Sequence, residues 1–72
     1  MKYKEWEVII VEGKVVKKGN KVAIKSRDKK EYFLKYPNSN GIPTSYVGLE
    51  VCVDGDLVGD TITIESIQEI DY

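Results

Sequence analysis

The chain has no histidine, one cysteine and two prolines in 72 residues. Without histidine it lacks the usual imidazole ligand for zinc and the commonest general base near neutral pH. With Cys52 alone, no internal disulfide can form. A thiol nucleophile at Cys52 would lack its customary imidazole partner. The longest apolar run, residues 8–11, is far short of the ~20 residues that span a bilayer. It is also shorter than the apolar stretch of a secretory signal, about 7–15 residues. The expectation is a cytoplasmic protein without a membrane segment. No glycine-rich phosphate loop occurs, because the six glycines are scattered. There is no internal repeat, linker or low-complexity stretch.

What remains is rich in β-branched residues at alternate positions, which is strand periodicity. No segment sustains a 3.6-residue pattern. Five strands are predicted, over residues 6–17, 21–26, 31–36, 49–57 and 61–67. In the first, Ile9, Val11 and Val15 share a face, and Gly13 falls among them, where a bend or bulge is expected. Val8, Ile10 and Val16 point the other way, and one of these two sets should be partly exposed. Gly19-Asn20 and Gly59-Asp60 are tight-turn signals. Gly55 is placed to permit a bulge in the fourth strand.

Two registers for the second and third strands keep apolar residues together. One pairs Ile24 with Leu34 and leaves a three-residue loop. The other pairs Ile24 with Tyr32 and Val22 with Leu34, and leaves five. Both turn Phe33 outward, with Lys21, Ala23 and Lys25 on the same side. Pro37 ends the third strand, and the segment PNSNGIP, residues 37–43, is the longest run of breakers. Residues 44–47 could form one helical turn that Gly48 ends. Trp6, Tyr3 and Tyr72 are expected to plug one end of the fold, and Tyr46 to pack under the third connection. Cys52 should be a half-buried small hydrophobe.

Charge is segregated along the chain. Residues 1–36 hold all eleven Lys and Arg against five acids, a balance of +6. Residues 37–72 hold seven acids and no base, a balance of −7. Such asymmetry marks a binding face, unless the halves interleave and pair across strands. The acids Asp54, Asp56 and Asp60 are too few and too closely bounded for a calcium loop. Paired carboxylates for glycoside hydrolysis need a cleft that a chain this small rarely offers. No cofactor, metal or catalytic activity is expected.

Five short strands with a bent first member suggest a small all-β antiparallel barrel, since closure removes sheet edges. The stretches VEGKVV (11–16), YVGLEVCVDG (46–55) and TITIESI (61–67) are similar to small bacterial domains of the oligonucleotide/oligosaccharide-binding (OB) fold. They specify strand and turn geometry rather than chemistry. The long break after the third strand fits that fold, although its helical turn is shorter than usual. An SH3-like barrel, which would place its long loop between the first two strands, is the competing architecture.

The resemblance implies a ligand face on the outer side of the second and third strands. It would use Phe33 as a stacking platform, Lys21, Lys25 and Lys35 around it, Lys18 at the first turn, and Arg27, Lys29 and Lys30 on the hairpin. The expected partner is single-stranded DNA or RNA, held weakly by stacking and by phosphate neutralisation. The alternative is a protein-interaction or structural module, recruiting a protein partner or a second copy through the outer stripe of the first strand.

Overall fold

A computed structural model describes residues 7–37 and 41–70. Trp6, Tyr3 and Tyr72 lie outside the described residues. Alternating β-branched residues produce five strands: β1 Glu7–Lys18, β2 Lys21–Ser26, β3 Glu31–Lys35, β4 Glu50–Val58 and β5 Thr61–Glu69. Each lies within two residues of its expected bounds. A 3₁₀ turn, Thr44–Tyr46, precedes β4. It is stitched to β1 by the Gly48 amide, which donates to the Val15 carbonyl at 2.8 Å.

The sheet closes on itself in a ring, in the order β1-β2-β3-β5-β4 and back to β1. Four of the five contacts are antiparallel, but β3 and β5 run parallel, pairing Phe33 with Thr61, Leu34 with Ile62 and Lys35 with Thr63. This corrects the expectation of a wholly antiparallel sheet. The connection from β3 through the 3₁₀ turn carries the chain across the ring before the β4–β5 hairpin returns it. β5 therefore arrives beside β3 in the same direction.

The stagger of the ring follows from the registers. Partners lead from Lys17 through Val22, Leu34, Ile62 and Leu57 to Glu7. One circuit thus returns ten residues back along β1. Ten residues at ~3.3 Å, over five spacings of ~4.8 Å, tilt the strands by about 54°. So steep a tilt leaves an interior that short aliphatic side chains can fill. Val11, Val15, Val22, Ile24, Leu34, Val51, Val53, Ile62 and Ile64 fill it. Ile9, Tyr32, Tyr46, Leu49 and Ile67 pack against this cluster from its margins.

Two glycines make the coiling possible. Gly13 is paired on both sides, with Ser26 of β2 and Val51 of β4. It is the point at which β1 exchanges one neighbour for the other. A Cβ built there would lie 2.1 Å from the Lys25 carbonyl oxygen. Gly55 lies opposite a bulge that falls on β5 rather than in the fourth strand: Asp54 and Gly55 face Ser66 and Ile64, which leaves Glu65 as the extra residue, and a Cβ on Gly55 would lie 2.1 Å from the Thr63 carbonyl oxygen. At both positions the backbone of a neighbouring strand occupies the space that a side chain would need.

The turns follow their sequence. Lys18 pairs with Lys21, and Val58 with Thr61, so each hairpin has a two-residue turn that begins with a glycine at φ near +64° (Gly19) or +63° (Gly59). Glycine at that first position is what a type II′ turn requires. The β2–β3 register is the second of the two, pairing Ile24 with Tyr32 and Val22 with Leu34, although β2 runs on to Ser26 and the loop is four residues, 27–30, rather than five.

In that loop Lys29 adopts φ 73°, a left-handed conformation that costs a side-chain-bearing residue about 1–2 kcal/mol. Lys29→Gly should relieve this strain. The greater freedom of glycine in the unfolded chain offsets part of the gain. A net stabilisation of about 0.5–1 kcal/mol is expected. It would be read as a higher urea midpoint at constant slope; a lower midpoint would contradict the assigned strain.

Candidate functional site

Register decides which side chains share the outer surface. Three rows cross β1, β2 and β3 on that side. The first is Lys14, Lys25 and Glu31; the second is Val16, Ala23 and Phe33; the third is Lys18 and Lys21, with Lys35 two residues beyond Phe33 on the same side of β3. An apolar row is therefore set between two rows dominated by cations. The middle row continues to Thr61 of β5 and Val58 of β4.

Phe33 is half-buried on this face. Its own amide donates to the Asp60 carbonyl at 2.8 Å, which draws the β4–β5 turn against the site. The Lys21 Nζ lies 5.0 Å from the centre of the Phe33 ring, a cation–π contact. Beside the ring is a shallow groove of about 140 Å³, lined by Lys21, Phe33, Leu34, Lys35, Ile42 and Thr61.

Ala23 departs from expectation. Its parity is outward, yet it has no exposed surface. Its ladder partners, Val16 on one side and Phe33 on the other, are far larger, so a methyl group between them is hidden. Ala23 thus forms the floor of the apolar row rather than a point of contact.

The predicted cations fall into three groups. Lys18, Lys21, Lys25 and Lys35 lie with Phe33 in the outer rows. Lys18 Nζ reaches Glu31 Oε1 at 2.8 Å, and this hydrogen bond holds the Glu31 carboxyl below its ordinary range. Lys29 and Lys30 stand exposed on the β2–β3 loop. There the Asp28 carboxylate accepts from Ser26 Oγ and from the Lys30 amide, which lowers its pKa and fixes the loop.

Arg27 turns elsewhere. Its guanidinium is 3.7 Å from Glu12 and 3.9 Å from Glu50. It lines a second groove, of about 350 Å³, with Ile9, Ile10, Val11, Glu12, Ser26, Asp28 and Tyr32. The structure brings the four lysines and Phe33 together and sets Arg27 against acids of β1 and β4.

Cys52 is half-buried on β4, as its alternation with Val51 and Val53 implied. Among the described residues no group of three or more Cys, Asp or Glu is arranged to hold a metal ion. No described helix is long and apolar enough to cross a membrane. Comparison with protein-family models, curated proteins and solved structures gives no match.

The sequence reading missed two features of this surface. One is the contribution of Val16 and Ala23 to a continuous apolar row with Phe33, which needs the β1–β2 register. The other is the groove beside the ring, to which Ile42 contributes from the segment after β3.

Proposed function

We propose that the ring is an OB-type barrel and that it binds single-stranded nucleic acid, DNA or RNA, weakly on the outer face of β2 and β3. The strand order with β3 parallel to β5 supports the OB reading, as does placement of the longest break between β3 and β4. The observation that carries the function is the half-buried Phe33 between two rows of lysines. A base stacked on an aromatic side chain contributes roughly 1–3 kcal/mol. The Lys21 contact it would displace is worth about 0.5–1 kcal/mol at an exposed site. Exchange therefore favours the base, and it frees the Lys21 ammonium for phosphate. Lys25 and Lys35 flank the ring and would release counterions in the same way. Asp60, in the β4–β5 turn, repels phosphate on that side and limits the footprint. The reading is of a binding module without catalysis.

Fluorescence anisotropy with labelled oligo-dT and oligo-U tests it. Micromolar binding should weaken steeply as salt rises, and Phe33→Ala should weaken it about tenfold at every salt concentration. Lys25→Ala or Lys35→Ala should instead reduce the salt slope by about one. Absence of binding at high micromolar protein and low salt would overturn the proposal.

A further inference from the structure

The face opposite in character to the lysine rows lies on the first half of β1 and on β4. Val8 and Ile10 are the most exposed large hydrophobics described, at 64% and 71%. Register places Asp56 beside Val8 and Asp54 beside Ile10 on the same side of the sheet. Beyond these, β5 contributes Thr63 and Ser66, which carry no charge. Glu7 and Glu12 bound the stripe along β1, with Arg27 paired to Glu12 at that end. Asp54 Oδ1 has no hydrogen-bond partner, although little of that atom reaches solvent. This is an apolar centre in an acidic field.

The lysine rows present the converse: an apolar centre of Val16 and Phe33, with exposed Val58 at its margin, in a basic field. The two faces match in the sign of their charge and in the placement of their apolar residues. They belong to one chain but lie on different sectors of the ring. From this complementarity we infer that the acidic face of one copy docks on the basic face of a second. Such a contact is heterologous, and each copy keeps one open face after pairing. A net charge of −1 opposes the approach of two copies only slightly.

A contact covering about a tenth of the 5211 Å² accessible surface would bury roughly 500 Å² a side. Buried area of that order belongs to weak, transient association, strengthened at low salt. The basic face is also the one assigned to nucleic acid, so the two occupants compete. The complementarity between copies does not depend on that assignment.

Sedimentation velocity in the absence of nucleic acid tests the inference, with two single variants at exposed positions. Ile10→Lys spoils the acidic face, and Lys25→Glu spoils the basic one. Far-UV circular dichroism confirms that both are folded. Wild type should show a weight-average sedimentation coefficient that rises with concentration at low salt and falls back at high salt. Each variant alone should need at least about tenfold more protein for the same rise. An equimolar mixture should form a 1:1 pair, because each variant retains the face that the other has lost. Wild type that stays monomeric to about 1 mM at low salt would overturn the inference and leave the acidic face to a different protein. It would also fail if only Ile10→Lys dissociated and the mixture did not pair. That outcome would indicate edge-to-edge pairing of β1 strands.

Discussion

Gly55→Ala should destabilise the protein by about 3 kcal/mol or more, and Gly13→Ala should do the same. A domain of 72 residues has roughly 4–11 kcal/mol in total. Either substitution would therefore remove a large share of it. The reason is the proximity of backbone rather than of any flexible side chain. At Gly55 the new methyl would meet the Thr63 carbonyl oxygen at 2.1 Å and the Glu65 amide nitrogen at 3.0 Å. At Gly13 it would meet the Lys25 carbonyl oxygen at 2.1 Å and the Ser26 Cα at 2.8 Å. Relief requires one strand to withdraw from its neighbour, which breaks the ladder at that point. Gly19 and Gly59 offer a comparison within the same chain. A Cβ there meets nothing within 4 Å, and the cost is the strain of positive φ alone, about 1–2 kcal/mol. Urea denaturation of the four variants should rank Gly13 and Gly55 well above Gly19 and Gly59. A Gly55→Ala protein within about 0.5 kcal/mol of wild type would refute the close crossing.

Ile62→Ala should cost about 3 kcal/mol, within the usual 2–5 kcal/mol for truncating a buried aliphatic side chain. Ile62 has no exposed surface and pairs with Leu34 on one side and Leu57 on the other. It also occupies the weakest seam of the ring. The β3–β5 ladder has three residue pairs, against four to eight in the others. Leu34 with Ile62 is its only pair with both members buried. Truncation would leave a void at that seam, in a close-packed core whose remaining members are all short or branched aliphatic side chains. Leu34→Ala should behave likewise. Because the two side chains face the same interior, the double variant should cost less than the sum of the singles. Chemical denaturation of all four proteins would measure this. A loss below about 1 kcal/mol for Ile62→Ala would show that closure does not depend on the pair.

Much of the local structure was legible beforehand because its causes are local. Alternation of Val and Ile set the five strands, and Gly-Asn and Gly-Asp set the two tight turns. The parity of Phe33 followed from that of Val22 and Ile24, since cross-strand partners face the same side. Ala23 shows where parity ends as a guide. It points outward, as predicted, but burial depends on the size of its neighbours, and those belong to two other strands. Arg27 shows the same limit for charge. Its sequence neighbours suggest a basic hairpin, whereas its ion pairs are with Glu12 and Glu50, distant in the chain.

The sequence by itself determined an all-β chain, the residues of its interior and the positions of its turns, because each depends on periodicity or on the conformational freedom of a few residues. Only the tertiary structure decided that β3 meets β5 in parallel, that β1 is shared between β2 and β4, and that four lysines and Phe33 form one surface. A strand has two edges, and nothing in its composition labels them. Which partner each edge finds is set by closing the whole ring around one core.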